Sequence, residues 1–188
     1  MKLNIGSGYV KIPGFLNVDH DPLVKPDFLV NLEDLHLPIA DSSVDEIYAH
    51  HIFEHIGAGF LPMMQELYRV CKHDAVLDIK FPHHRSEIWF GDPTHVRKLT
   101  VDQLTMFSKK VNLEHIAKFG SSSGFGLFLN VDFEVIGYTM KLYPKWEERF
   151  KTMTEEEVNE IVENLNNVFW EVHIGLKVVK DAEPPING

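Results

Sequence analysis

Histidine is unusually frequent in this chain and offers acid–base or metal chemistry. The 188 residues include eleven histidines. Imidazole, with an ordinary pKa of about 6.5, can accept or donate a proton near neutral pH. Six of the histidines fall within one short stretch of sequence: His50, His51, His55, His83, His84 and His95. A general base or a metal ligand is therefore expected first in this stretch.

Residues 51–55 (HIFEH) match the pattern H-x-x-E-H. In the inverted zinc proteases that carry this pattern, two histidines on one helical turn bind zinc and the glutamate acts as a base. The histidines here would be His51 and His55, but the sequence offers no identifiable third ligand. We therefore expect no bound metal and keep a histidine-metal hydrolase as a minor alternative. The simpler interpretation is that Glu54 and His55 begin a helix after a strand.

A second group of residues could hold a nucleoside. Gly6, Ser7 and Gly8 follow the apolar residues Lys2–Ile5, and Asp19 ends the next apolar segment. Glycine lets backbone amides approach a ligand closely, and a carboxylate at the carboxyl end of a strand can accept hydrogen bonds from both ribose hydroxyls. A nicotinamide site would need a third glycine and a helix amino terminus under the pyrophosphate. The residues after Gly8 (YVKIP) supply neither.

The first half of the chain predicts an α/β domain. Five short apolar segments, bounded by turn residues, are predicted strands. They cover Lys2–Ile5 and residues 15–19, 27–31, 44–49 and 75–81. Apolar residues recur at helical spacing in residues 60–73, which predicts an amphipathic helix. This order of elements indicates a parallel sheet.

The second half is predicted to add helices and a pair of strands. Residues 101–118 are predicted to form a helix that begins with a capping box of Thr100 and Gln103. A charged helical segment, capped by Thr154 and Glu157, separates two β-rich stretches that are expected to pair like a hairpin. The helical segment covers residues 145–166, and the β-rich stretches cover residues 131–143 and 171–180.

The first connections between strands are too short for ordinary crossover helices. Parallel neighbours usually need a connection of a dozen or more residues. Only residues 6–14 and 20–26 separate the first three predicted strands. One face of the sheet should therefore be thinly covered, and we expect the late helices, or a second subunit in a homodimer, to cover it.

Four motifs follow one another in the first half of the chain: LNIGSG, FLNVD, VNLEDLHLPIADSSVDEIYAHHIFEHI and ELYRVCK. In this order they resemble the small class I methyltransferases related to methyltransferase type 11. The resemblance implies an α/β, Rossmann-like class I methyltransferase sandwich. Its sheet would be mostly parallel, with an antiparallel C-terminal strand and abbreviated N-terminal crossovers. The resemblance covers about the first hundred residues and also implies S-adenosyl-L-methionine as the cofactor. The length of the chain fits one domain, over residues 1–188.

The resemblance further implies a cofactor site at the carboxyl ends of the first four strands. The glycine loop would contact the methionine and adenosine parts, and the acid after the second strand would hold the ribose. The segments after the third and fourth strands would lie beside the adenine and the methionine end. The residues at these positions are Asn4, Gly6, Ser7, Gly8, Asp19, His20, Asn31, Leu32, His50 and His51. The family often carries an acid where Asn4 and Asn31 stand, so both positions keep a carbonyl acceptor and lose a charge.

The loop after the fifth strand, residues 82–100, is the predicted substrate site because it should overhang the same edge of the sheet. His83 and Asp92 are expected to face this cleft. If the acceptor must lose a proton, His51 or His95 is the preferred base. Residues 120–124 (GSSSG) match the nucleophile-elbow pattern G-x-S-x-G. They follow a helix instead of a strand, so we predict a flexible loop there.

Composition and net charge argue against nucleic-acid and membrane partners. The formal charge is −10 and no basic stripe appears, so we expect no nucleic-acid partner. Cys71 is the only cysteine and is expected to be a buried small residue. No apolar run approaches the ~20 residues of a membrane helix, so we expect a cytoplasmic protein without membrane contact. The sequence thus predicts a methyltransferase for a small molecule; the alternative is an S-adenosylmethionine-binding protein without catalysis.

Overall fold

A single seven-stranded sheet organises the chain. The computed structural model describes residues 1–34, 36–120 and 123–180. The strands lie in the order β3-β2-β1-β4-β5-β7-β6. Their bounds are β1 Lys2–Ile5, β2 Leu16–Asp19, β3 Phe28–Leu29, β4 Val44–His50, β5 Cys71–Pro82, β6 Phe133–Leu142 and β7 Phe169–Val178. Strands β1 to β5 pair in parallel, whereas β7 is antiparallel to both β5 and β6. The predicted fold class, with its antiparallel C-terminal strand, is confirmed.

The helices are short, and most of them follow β5. They are α1 Phe60–Val70, α2 Glu87–Gly91, α3 Val101–Thr105, α4 Lys109–Phe119, α5 Phe125–Phe128, α6 Pro144–Phe150 and α7 Glu155–Asn164. Loops and single 3-10 turns connect the first four strands, as the short spacings predict. Within the described ranges, no helix has the length and apolar character needed to cross a membrane.

Several helix boundaries differ from the sequence prediction. Helix α1 ends at Val70, and β5 begins at once with Cys71, whose backbone is extended. The single helix predicted over residues 101–118 is divided into α3 and α4, because the Ser108 side chain caps a new helix by accepting from the Val111 amide. The predicted helical segment before β7 is likewise divided into α6 and α7. The capping boxes begun by Thr100 and Thr154 are both confirmed.

The hydrophobic core covers one face of the sheet. Burial alternates from residue 75 to residue 81 of β5, where Leu77 and Ile79 are fully buried and Asp78 and Lys80 are only partly buried. Helix α1 packs on the buried face with apolar residues spaced three and four apart. The fully buried members of this helix are Met63, Met64, Leu67 and Val70. Cys71 is also buried, as predicted, and burial raises the pKa of its thiol to about 12.

The second face of the sheet is polar and stays partly exposed. The side chains of Asp78 and His173, on neighbouring strands of this face, are 36% and 40% exposed. Helix α7 lies beside the end of β5, where the Arg85 guanidinium donates to the Glu163 carbonyl of α7 at 2.6 Å. The expectation that the late helices cover the second face is therefore wrong around Asp78 and His173, which no described helix covers. Coverage by a second subunit stays a prediction.

Candidate functional site

A glycine loop follows β1 and turns back over the end of β2. Gly6 and Gly8 have φ values of 63° and 49°, in the left-handed region that favours glycine. A Cβ atom added to Gly6 would lie 2.5 Å from Cγ1 of Ile52, whereas one added to Gly8 would meet no atom within 4 Å. The first glycine is thus required by packing against the protein. The second leaves open space beside the loop.

The carboxylate of Asp19 is fixed against this loop. Its Oδ2 accepts from the Gly8 amide at 2.8 Å, and its Oδ1 accepts from the Asp21 amide at 3.0 Å. Asp19 is nearly buried, whereas the neighbouring His20 is exposed, with its Nδ1 3.5 Å from Asp19 Oδ1. The glycine loop and the acid at the end of β2 therefore lie in direct contact, as the sequence predicts.

A cavity of about 390 Å³ opens beside the glycine loop. Its volume falls within the range of small-molecule pockets. Six of the residues predicted for a cofactor or catalytic role line it, namely Asn4, Gly6, Ser7, Gly8, His50 and His51. The other lining residues are not among those predicted from the sequence; they are Tyr9, Val10, Tyr48, Lys80 and Glu171.

The two residues predicted to lie beside adenine do not line this cavity. Asn31 is exposed, and its Oδ1 accepts from the Glu33 amide. Leu32 is buried in the hydrophobic core. The segment nevertheless stays tied to the site, because the Val30 amide donates to the Asp19 carbonyl at 2.9 Å.

His51 stands where β4 ends and bridges two buried carboxylates. Its Nε2 lies 2.9 Å from Oε2 of Glu171, and its Nδ1 lies 3.5 Å from Oε1 of Glu54. These two carboxylates raise the pKa of His51, with Glu54 having the larger effect. Glu171 also forms an ion pair with Lys141 at 2.7 Å. The arrangement orients the His51 ring and favours its charged form.

Three polar side chains on the neighbouring strands β4, β5 and β7 form a row that could not be predicted from the sequence. Asp78 Oδ1 lies 2.9 Å from His50 Nε2 and 2.6 Å from His173 Nε2. Burial works against the ionised form of Asp78, but the two histidines outweigh it and lower the pKa of this carboxyl. The pairing of β5 with β7 creates the row, since it sets His173 opposite Lys80.

The loop after β5 folds over the segment that follows β4. The amides of Val96 and Arg97 both donate to the Glu54 carbonyl. The His95 side chain is buried there, with Nε2 3.9 Å from Oε1 of Glu54. Asp92 is half-buried, and its Oδ2 lies 3.8 Å from His95 Nε2. His51 and His95, the two predicted candidates for a base, therefore meet at one glutamate.

His83 lies apart from this group. Its ring packs against Phe169 and His84 and is not among the residues that line the cavity. Burial, together with the nearby charges of His84 and Arg85, lowers the pKa of His83 to about 4. The prediction that His83 faces the cleft therefore receives no support from this geometry.

Two sequence patterns have a different structural context from the enzymes that define them. His51 has a φ of 54°, and residues 53–55 form a single 3-10 turn, so His51 and His55 do not share a helical turn. The α-helix begins later, at Phe60, so the prediction that Glu54 and His55 begin it is wrong. In the GSSSG segment, Gly120 ends α4 and Gly124 precedes α5. The predicted flexible loop between them includes residues 121 and 122, which lie outside the described residues.

Comparisons with known proteins agree on the fold. No family model and no curated protein matches the chain. A SAM-dependent methyltransferase from Archaeoglobus fulgidus superposes with a TM-score of 0.59 at 16% identity, over 94% of this chain and 85% of the other. A SAM-dependent methyltransferase from Methanosarcina mazei gives 0.56 at 14% identity, over 96% and 92%. The chain thus has the fold of class I methyltransferases.

The same fold also occurs in a protein named for another reaction. The cyclase SpnF superposes with a TM-score of 0.55 at 14% identity, over 96% of this chain and 75% of the other. Folds host unrelated chemistries, so the reaction has to be argued from the site.

Proposed function

We propose that this chain, as one domain over residues 1–188, transfers the methyl group of S-adenosyl-L-methionine to a small-molecule acceptor. The observation that carries the proposal is the 2.8 Å contact between the Gly8 amide and Asp19 Oδ2. This contact lies at the carboxyl ends of β1 and β2, where open α/β sheets bind ligands. It sets a glycine bend beside a carboxylate, as a nucleoside ligand requires.

The residues present fit the cofactor. The open space beside Gly8 admits a ligand against the backbone of the loop. Each Asp19 oxygen accepts one backbone hydrogen bond and keeps a further lone pair for a ribose hydroxyl. When bound, the cofactor supplies a methyl group activated by a sulfonium. In this proposal the groups that hold it are Asn4, Gly6, Ser7, Gly8, Asp19, His20 and His50. Asn31 and the backbone of Leu32 would lie at its adenine end, outside the cavity beside the glycine loop.

The protein's task in such a displacement is alignment and, for some acceptors, removal of a proton. His51 is the proposed base, because it lines the cavity and Glu171 orients its ring from a third strand. His95 and Asp92, on the loop that folds over Glu54, are the proposed acceptor-side residues. His83 keeps its proposed substrate role only if the loop after β5 rearranges when the acceptor binds.

Calorimetric titration with S-adenosylmethionine tests cofactor binding. Asp19→Asn should weaken affinity about 10- to 100-fold, since it replaces a charged acceptor in contact with the loop and the ribose. Asp21→Asn is the matched control, because its exposed carboxylate only caps the next turn by accepting from the Leu23 amide. Equal affinities for the wild type and both variants would refute this cofactor site.

An acceptor screen tests transfer itself. Candidate small molecules are incubated with the protein and S-adenosylmethionine, and the demethylated cofactor product is measured. Turnover that depends on an acceptor supports the proposal. Cofactor binding without turnover across a broad set of amine, hydroxyl and carboxyl acceptors would support the alternative, a cofactor-binding protein without catalysis.

A further inference from the structure

Glu54 is buried without a hydrogen-bond partner. Only 1% of the residue is exposed, and within the described part of the chain neither carboxylate oxygen accepts a hydrogen bond. The nearest ring nitrogens, His51 Nδ1 and His95 Nε2, lie 3.5 Å and 3.9 Å from Oε1. Buried carboxylates are normally hydrogen-bonded, paired or bound to metal, because an isolated buried charge is costly. The charge of Glu54 is therefore balanced only by imidazole nitrogens 3.5 Å or more away, and one of these rings, His51, is shared with Glu171.

Two histidines complete a set of ligands around this carboxylate. Glu54, His55 and His95 each offer one ligand atom, and these atoms all lie within 4.8 Å of one another. The rings of His55 and His95 pack edge to face, with centroids 4.7 Å apart. His95 is contributed by the loop after β5, which folds back so that its backbone amides reach the Glu54 carbonyl. Distant parts of the sequence thus converge on one point.

The outer nitrogens of both rings are held as in metal-ligating histidines. His95 Nδ1 lies 2.8 Å from the Trp89 carbonyl, which can only accept, so Nδ1 carries the proton and Nε2 a lone pair. His55 Nδ1 lies 2.9 Å from the Thr94 hydroxyl, which itself donates to Asp92 at 2.6 Å. That hydroxyl therefore accepts from His55, whose Nε2 is left with a lone pair. Such outer partners fix the tautomer in known metal sites.

We propose that Glu54, His55 and His95 bind a divalent transition-metal ion, with Zn²⁺ the best match. Two imidazoles and one carboxylate form a common zinc ligand set, and three protein ligands leave a position open for water or a substrate oxygen. The site is distinct from the H-x-x-E-H arrangement, since His51 is not a ligand and His95 supplies the third. The inference goes beyond methyl transfer and does not depend on it.

A second cluster of suitable side chains is a weaker candidate for binding a metal ion. His50, Asp78 and His173 also bring three ligand atoms together. Asp78 Oδ1 already accepts from both rings, and all three residues are partly exposed. This network is satisfied by its own hydrogen bonds. It provides a matched control for the buried cluster.

The proposed metal would lie next to the cavity. His51 has its Nδ1 beside Glu54 and its Nε2 beside Glu171, and it lines the cavity itself. A cation held by Glu54 would therefore act on the charge balance around His51. Metal binding and cofactor binding can still be measured separately, so failure of one proposal does not decide the other.

Titration of the chelator-treated chain with Zn²⁺ by calorimetry, and with Co²⁺ by visible absorption, tests the site. We expect one ion per chain and a Tm that rises by about 5 °C or more with excess Zn²⁺. Glu54→Gln and His95→Ala should each weaken Zn²⁺ affinity at least tenfold and abolish most of the Tm shift. Asp78→Asn and His173→Ala should leave both nearly unchanged.

The opposite pattern overturns the proposal. Binding that survives Glu54→Gln and His95→Ala but is lost in Asp78→Asn would move the ion to the other cluster. A wild-type Kd above about 1 mM would show that there is no site. Glu54→Gln removes a buried charge, so the metal-free variant should melt no lower than the wild type. If it does not fold, Thr94→Val provides the same test, with an expected 10- to 100-fold loss of affinity through His55.

Discussion

The position and the hydrogen-bond partners of His51 support its proposed role as a base. It lies on the cavity wall, and its two nitrogens face carboxylates from different parts of the chain, Glu54 and Glu171. Such pairing fixes the direction of the ring and raises its pKa, so the ring accepts a proton more readily. A residue held in this way is suited to moving a proton and is poorly placed to contribute much to cofactor affinity.

Loss of the His51 side chain should therefore lower kcat much more than it weakens cofactor binding. With an accepting substrate, His51→Ala should lower kcat by about 10²- to 10⁴-fold, the usual contribution of a general base. The Kd for S-adenosylmethionine should change less than about threefold. His115→Ala, on α4, is the control and should leave both values unchanged. Equal losses in kcat and cofactor affinity would assign His51 to binding instead.

His83 gives a prediction for stability and pH. Its folded-state pKa is about 4, because burial and the nearby charges of His84 and Arg85 disfavour the protonated ring. In the unfolded chain its pKa would be about 6.5. As pH falls below about 6.5 the unfolded chain binds the proton first, so stability present above that pH is lost as pH approaches 4.

Urea unfolding at pH 7 and pH 4.5 measures this loss. His83→Asn keeps an acceptor for the Arg85 amide, which donates to His83 Nδ1, and removes the titrating group. We expect the wild type to lose up to about 3 kcal/mol more than the variant between the two pH values. Identical losses would mean that His83 is protonated in the folded protein as readily as in the unfolded chain.

Among the elements, the glycine loop combines two different demands. Gly6 and Gly8 both adopt positive φ, but only Gly6 lies against a side chain, that of Ile52. Gly6→Ala should therefore cost about 2–5 kcal/mol, from backbone strain and overpacking together. Gly8→Ala should cost only about 1–2 kcal/mol, from strain alone. Urea unfolding compares the two variants.

Gly8→Ala, the variant that costs less stability, should be the one that loses cofactor affinity. The methyl group of Gly8→Ala projects into the open space proposed for the ligand, so affinity should fall at least tenfold while the protein stays folded. If calorimetry gives Gly8→Ala the wild-type affinity, the cofactor does not lie against this loop.

The sequence predicts elements well where the determinants are local. The β1 loop and Asp19 could be placed because parallel strands end at one edge of the sheet. The capping boxes of Thr100 and Thr154 could be predicted because each depends on two residues three apart in the chain. Helix α3 ends at Thr105 and the Ser108 cap begins α4, which periodicity alone does not reveal. The change from α1 to β5 at Cys71 occurs without a glycine, proline or other turn residue that would mark it in the sequence.

Residues brought together by antiparallel pairing could not be predicted. Glu171 joins the site because β7 sets it opposite Pro82 and β6 sets Lys141 opposite Glu171. A shift of one residue would turn Glu171 into the core, and no sequence motif fixes that register. The contact of His95 with Glu54 depends in the same way on how the loop after β5 folds back. The third proposed metal ligand was therefore invisible in the sequence.

At the scale of the molecule, the short crossovers and the site are linked. Asn4, Tyr48, His50, Lys80 and Glu171 line the cavity, and all point to the polar face of the sheet. Loops replace the crossover helices that would otherwise cover this face near β1 and β2. The short connections that leave this face open therefore also give the cavity its polar wall.

An open face predicts an uneven distribution of stability across the sheet. Ile174 on β7 is fully buried on the core face, whereas Ile136 on β6 is 55% exposed and lies over Gly175 on the other face. Ile174→Ala should lower the free energy of unfolding by about 2–5 kcal/mol, as expected for a large-to-small change in a core. Ile136→Ala should cost less than about 1 kcal/mol, because its side chain already contacts water.

Urea unfolding of the two isoleucine variants, followed at several protein concentrations, also tests whether a second subunit covers the polar face. If copies of the chain associate through that face, Ile136 becomes buried, and Ile136→Ala should cost more as protein concentration rises. A cost that is small and independent of concentration means that the face stays open to solvent. The chain would then be stabilised from one side of its sheet only, with the polar side left to the cavity and its ligands.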